Sequence, residues 1–334
     1  MPTNSNVILV VGGAGYIGSH MVLMLKQAGF IPIVLDDLSK GHRDAVLDTK
    51  LIVGTIADKE LLAYLFAEYP FFAVMHFASY IEVAESMQFP LKYYQNNVAA
   101  TCDLLEIMLK NKVQQFIFSS SAAVYGTPQY TPIDEAHILQ PINPYGRSKR
   151  MIEEVVSDLG QSDGLQYAIL RYFNAAGADP EGRLRERHDP ESHLIPLALQ
   201  VAMGQRDSIT VYGRDYPTVD ETCVRDYVHV VDICRAHLQA LKRLQGKKSN
   251  LICNLGSGQG YSVQQVIEAV RQVTGHPIPI TEGTRRAGDP PVLVADATLA
   301  KKELGWQAEY SELKIIIQHA WQNLQHASKR ILTC

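Results

Sequence analysis

Residues 7–20 read VILVVGGAGYIGSH, and this stretch decides the fold. The apolar residues 7–11, three of them valine, fit a short strand buried on both faces. Glycines follow at positions 12, 13, 15 and 18, and apolar residues then recur at helical spacing over 16–28. Glycine at such a turn permits a sharp bend and lets the backbone approach a pyrophosphate, which the free N–H groups of the helix start then face. A second strand, 31–35, stops at Asp36-Asp37. Asp36 lies 18 residues beyond Gly18, where an acceptor for a ribose 2′-hydroxyl belongs. An acid there repels a 2′-phosphate, so NAD is favoured over NADP.

Working outward, strands are expected at 51–53, 72–76, 115–119 and 167–171, with helices at 59–68, 91–110 and 145–158. Alternation of this kind builds a doubly wound parallel sheet of Rossmann type in an α/β protein. Past about Asn174 the pattern loosens. Residues 177–192 are rich in charge, Gly and Pro and read as a long loop, a class that is often functional. A short strand at 209–212 and helices at 263–273 and 312–323 suggest a smaller mixed α/β lobe. We therefore expect a dinucleotide domain over 1–174, rejoined by 225–256, and a substrate lobe over 175–224 and 257–334.

The chain has 334 residues, 46% hydrophobic and 20% charged, with a formal net charge of −4. Weak acidity excludes the basic field that a nucleic-acid or membrane-surface protein uses. A phosphate-bearing ligand must then meet local arginines and helix starts. Residues 1–6 are polar and the run 7–11 is too short for a secretory or membrane segment, so a cytoplasmic protein is expected. The five cysteines (Cys102, Cys223, Cys234, Cys253, Cys334) are scattered without a CxxC. They read as reduced thiols, and no metal site is expected.

Tyr145 and Lys149 stand at i and i+4, on one helix face. A free tyrosine is a poor base at neutral pH; a nearby ammonium and a positive nicotinamide ring both favour its phenolate. Residues 119–121 are three serines at the end of a predicted strand, where open parallel sheets bind ligands. Ser121 can hydrogen-bond a substrate hydroxyl and relay its proton.

With these features together, the sequence resembles the extended short-chain dehydrogenase/reductase family, and within it the nucleotide-sugar 4-epimerases, over nearly the whole chain. The carrying segments are GGAGYIGSH from Gly12, FSSSAAVYG from Phe118, YGRSK from Tyr145, RYFNAAGA from Arg171, VRDYVHVVD from Val224 and RRAGD from Arg285. The resemblance implies reversible C4 epimerisation of UDP-glucose and UDP-galactose through a 4-keto sugar, with Ser121, Tyr145 and Lys149 as the catalytic set. It implies NAD contacts from Gly12, Gly15, Tyr16, Ile17, Gly18, Asp36, Phe77, Ala78, Asn97, Ser119, Tyr145, Lys149 and Tyr172, with His76 leading into the same channel. For the UDP-sugar it implies Ser121, Tyr145, Asn174, His193, Leu194, Thr210, Tyr212, Arg225, Arg286, Asp289 and Leu293. It further implies a homodimer paired through the helices at 91–110 and 145–158.

Sugar-nucleotide 4,6-dehydratases resemble the chain too, but carry an Asp-Glu pair where Ala122-Ala123 stand. Three positions depart from the commoner pattern of the resemblance: Thr55, Ile81 and His193. A 4-epimerase of UDP-N-acetylhexosamines or UDP-pentoses stays open as an alternative. So does a different class, a regulatory protein that binds NAD as a redox sensor, although such a protein needs no base.

Overall fold

The computed structural model describes residues 6–246, 249–286 and 289–332, with side chains described as far as residue 326. Cys334 and the Ala-Gly of the RRAGD segment lie outside the described residues.

The chain opens as expected, with β1 (Val7–Val11), α1 (Tyr16–Gln27), β2 (Ile31–Asp36), β3 (Lys50–Val53), α2 (Lys59–Glu68) and β4 (Phe71–His76). Short helices α3 (Val83–Gln88) and α4 (Pro90–Tyr93) lead through a π-helical segment, Tyr94–Ala99, into α5 (Ala100–Lys110). Then come β5 (Gln115–Ser121), α6 (Pro144–Ser162), β6 (Gln166–Tyr172), β7 (Asn174–Ala176), α7 (Leu194–Ala202) and β8 (Ile209–Tyr212). The rest comprises β9 (Val224–His229), α8 (Val230–Gln245), β10 (Leu251–Leu255), β11 (Gly260–Ser262), α9 (Val263–Thr274), β12 (Ile280–Gly283), β13 (Val292–Leu293), α10 (Thr298–Leu304) and α11 (Leu313–Leu332).

Seven strands form one sheet in the order β10-β6-β5-β4-β1-β2-β3, every pairing parallel. Side chains alternate along β1, so Ile8 and Val10 join one core cluster while Leu9 and Val11 join the other. Both faces are therefore dry, which is why the strand has no polar residues. Burying one such side chain is worth about 1.5–3 kcal/mol. On the first face, α8 packs against α1, with Ile233, Cys234 and Leu241 in the same cluster as Met21, Val22 and Leu25. The other face is covered by α2, α5 and α6. Strand order reverses between β1 and β4, opening the crevice in which such sheets bind ligands.

A second core gathers α7, α9 and α11. It includes Tyr227 of β9, which sits in a small sheet beside β7, β11 and β13. β8 pairs with β12 in a separate ribbon. The main departure from expectation is the helix over 91–110, which is interrupted. The π-helical turn adds a residue to the helix circumference and widens the ladder at Asn97, a distortion common at functional sites. No helix among the described residues is long and apolar enough to cross a membrane.

Candidate active site

The turn after β1 is a cradle that only glycine allows. Gly12 has φ +79, and a Cβ added there would lie 2.5 Å from the Ala78 nitrogen. A Cβ on Gly18 would meet the Gly12 carbonyl oxygen at 2.1 Å. Gly15 caps α1 with no side chain, and the first turn holds no acid, so the positive helix start is left for an external anion. Beside it, Asp36 is buried at the end of β2, and its carboxylate accepts Ala14 N–H and Leu38 N–H, each at 2.9 Å. Burial pushes Asp36 up, opposed by those hydrogen bonds. These features fit a dinucleotide. Ile17 packs beneath, its carbonyl accepting from the Cys234 thiol.

Across the crevice, the Phe77 and Ala78 N–H groups both donate to the Val11 carbonyl, folding this segment over the end of β1. Asn97 locks it there. Its Oδ1 accepts Tyr80 N–H at 2.9 Å, while Nδ2 donates to Tyr80 O at 3.1 Å and to Ser148 Oγ at 3.0 Å. His76 bonds Thr101 Oγ1 through Nε2, and burial, with Lys149 adding to it, pulls its pKa down to about 3.

The three serines have separate partners. Ser119 Oγ bonds His237 Nε2 at 2.9 Å. Ser120 Oγ donates to Glu153 Oε1 at 2.5 Å on the opposite face. Ser121 Oγ accepts the Ala123 N–H at 3.1 Å, which leaves its own proton to donate. Register aligns Ser121 with Tyr172 at the strand ends, and Tyr172 is held neutral, first by burial and then by the nearby Tyr145.

Tyr145 enters at the start of α6. Asn143 caps this helix, accepting Gly146 N–H at 2.8 Å, and Pro144 sets its first turn. The phenol thus lies at the positive end of the helix dipole. Lys149, one turn on, donates from Nζ to the Ser119 carbonyl at 2.9 Å, with Nζ 5.9 Å from the centre of the Tyr145 ring. Burial pushes Tyr145 up, opposed by a hydrogen bond with Ser121. Burial also pulls Lys149 down to about 7, against Glu153. Desolvation therefore acts on both groups in the chain alone, and the sequence-based reading gives the phenolate to Lys149 together with the positive nicotinamide of bound NAD.

Behind this cluster is a network that sequence reasoning missed. Arg171 of β6 holds Glu153 by Nε (2.9 Å) and Nη2 (2.5 Å), both side chains 4% exposed. Arg171 Nη1 donates to Tyr125 Oη (3.0 Å), which donates to Asn254 Oδ1 (2.7 Å). The signal available was the i+8 spacing of Glu153 from Tyr145, on the same helix face.

The remaining predicted positions line the second lobe. Arg225 of β9 is ion-paired with Asp289, and Tyr216 Oη donates to Asp289 at 3.4 Å. Arg286 lies over the Tyr212 ring, 4.1 Å from its centre. Thr210 bonds Thr281 across the ribbon. Asn174 aligns with Tyr227. Leu293, paired in register with Arg225, packs against the cluster that contains Ala122 and Phe173. Leu194 begins α7, while the ring of His193 turns to Glu186 and Glu191.

The profile of the NAD dependent epimerase/dehydratase family matches residues 8–256. The chain is 49% identical to a UDP-glucose 4-epimerase of Halalkalibacterium halodurans over 94% of each protein. Among solved structures it is similar to UDP-glucose 4-epimerase from Brucella ovis in complex with NAD, at 46% identity and a TM-score of 0.93, covering 95% of this chain and 98% of that one. It is also similar to the UDP-Glc/GlcNAc 4-epimerase of Campylobacter jejuni, at 43% identity and a TM-score of 0.83, covering 96% and 99%.

Proposed function

Because the chain belongs to the NAD dependent epimerase/dehydratase family, we propose that it interconverts UDP-glucose and UDP-galactose by reversible oxidation at C4. The observation that carries this is the meeting of Ser121, Tyr145 and Lys149 at the carboxyl end of β5, beside the glycine cradle. The test is incubation with a panel of UDP-sugars and separation of the products. Elimination of water is disfavoured, since buried Ala122 and its neighbour Ala123 offer no acid or base after the strand.

In this reading residues 1–174 and 225–256 hold NAD, and 175–224 and 257–334 hold the UDP-sugar. NAD, when bound, supplies the oxidant and a positive ring that favours the Tyr145 phenolate. Tyr145 Oη takes the proton of the sugar 4-hydroxyl, with Ser121 Oγ in relay, and later returns it. Lys149 and the start of α6 steady the negative oxygen. Arg225 and Arg286 anchor the diphosphate, a group that suits the guanidinium fork, while the 4-keto ring turns about its link. Anchoring the nucleotide and leaving the sugar loose puts the binding energy where it does not hinder the turn. We assign the protein as a cytoplasmic homodimer; exposed Phe89 and Leu91 beside the π-helical turn, with Met151 on α6, support pairing along these helices.

Two outcomes follow. Denaturing the purified protein should release NAD(H) that a cycling assay detects; release of NADP instead would contradict the role given to Asp36. The second concerns sugar size. Leu293 is smaller than a tyrosine and packs against the cluster that contains Ala122, the residue after Ser121. Measurable turnover of UDP-N-acetylglucosamine is expected beside the main activity. Leu293→Tyr should abolish the N-acetyl activity and leave UDP-galactose turnover within several-fold, since close packing has no room for both a ring and an acetamido group. Equal loss on both sugars, or no loss on either, rejects this role.

A further inference from the structure

The loop between β7 and α7 carries Glu186, His188, Glu191 and His193 in the run ERHDPESH. It folds so that one ligating atom from each lies within 4.8 Å of the others. Glu186 Oε1 is 3.0 Å from both His188 Nδ1 and His193 Nδ1. The two carboxylates of the cluster flank the same rings, with Glu191 Oε1 2.9 Å from His193 Nδ1 and Oε2 3.9 Å from His188 Nδ1. Four donors bound to zinc at about 2.0–2.2 Å stand roughly 3.3–3.6 Å apart in a tetrahedron. The observed spacings bracket that value.

Hydrogen bonding alone does not account for the cluster. His188 Nδ1 is fully buried and makes no hydrogen bond, despite its closeness to Glu186. The side chains of Glu186 and Glu191 are only 8% and 5% exposed. Two carboxylates buried together concentrate negative charge in one place, which a divalent cation offsets. Imidazole and carboxylate together suit zinc-like ions. A cavity of about 320 Å³, lined by Arg185, Glu186, His188, Glu191 and Ile195, adjoins the cluster and gives an ion a path.

We propose that Glu186, His188, Glu191 and His193 bind a zinc-class divalent cation that fixes this loop over the dinucleotide cradle. The loop already touches both ends of the cradle. Tyr16 Oη donates to Gly177 O at 2.7 Å, and the Tyr16 ring meets His188 edge-on at 6.3 Å. Beyond Asp36, Lys40 Nζ donates to Asp189 O at 2.6 Å, and Arg187 pairs with Asp44 at 2.8 Å. Four protein ligands close the coordination shell, so the ion is structural and takes no part in the reaction. With Nδ1 on the metal, His193 keeps its single proton on Nε2, which fixes its tautomer. The cysteines, whose spacing gave no metal site, contribute nothing here.

The test is metal content, read independently of activity. Chelator-stripped protein, loaded with Zn²⁺ and desalted, should retain one zinc per chain by plasma emission spectrometry. Co²⁺ in its place should give the strong visible bands of a tetrahedral ion. Glu186→Gln, which keeps the side-chain volume, and the double variant His188→Ala/Glu191→Gln should each lose roughly 10–100-fold or more in zinc affinity. Zinc should also slow tryptic cleavage after Arg185 and Arg187 in the parent and not in the variants. Circular dichroism checks that each variant folds; an unfolded double variant leaves Glu186→Gln to decide. No retained zinc in the parent, or unchanged retention in the folded variants, overturns the proposal.

Discussion

Replacing Tyr145 with phenylalanine should lower the epimerisation rate by roughly 10²-fold or more, the scale of a lost general base. Folding and retained NAD should survive, because the ring stays in its buried site and only the hydroxyl, which bonds Ser121, is lost. Steady-state rates with UDP-galactose, alongside NAD content, measure both. Near-normal turnover would show that another group takes the proton. Lys149→Met gives the companion result. Rate requires the phenolate, and burial already pushes the phenol up. Removing a cation beside it raises its pKa further. The acid limb of the pH–rate profile should therefore move to higher pH; an unmoved limb would mean that the lysine holds Ser119 in place without acting on the phenol.

Arg171→Met should cost about 3–5 kcal/mol in urea unfolding, because it removes the guanidinium that pairs with the buried Glu153 carboxylate and leaves it Ser120 Oγ and the nearby Lys149. The double variant Glu153→Leu/Arg171→Met should recover a large part of that loss, since replacing a buried pair by apolar groups is often nearly neutral. A double variant as unstable as the single one would show that the wider network, through Tyr125 and Asn254, matters more than the pair. The pair ties α6 to β6 one turn beyond Lys149. Some loss of rate is expected in the single variant even where it stays folded.

What could be read in the sequence was what repeats locally. The continuous apolar run of β1, the glycines after it and Asp36 at the end of β2 lie within thirty residues, and each element formed where its own pattern places it. The helix over 91–110 has a continuous apolar stripe, and nothing in that stripe marks the π-helical turn at Asn97. At that turn Asn97 bonds Tyr80 and Ser148, which lie outside the helix. Arg171 was visible inside RYFNAAGA, but its partner depends on how β6 lies beside β5 under α6. Glu186 and His193 sit in an aperiodic loop, where no spacing rule distinguishes ligands from solvated charges. Arg225 and Asp289 could be named only through the family resemblance, and their pairing became visible only in the fold.

The packing of α8 on α1 has a consequence for how the protein is made. Helix α1 ends at Gln27, and the helix that covers its apolar side does not begin until Val230. On a ribosome adding roughly 5–20 residues each second, Met21, Val22 and Leu25 wait about 10–40 seconds for Ile233 and Leu241 to emerge. During translation that side of the nascent sheet is a greasy surface with no covering partner in the same chain. Such a nascent chain is a natural client for a chaperone that binds apolar surfaces, and chains truncated before residue 230 should precipitate where the full-length product does not.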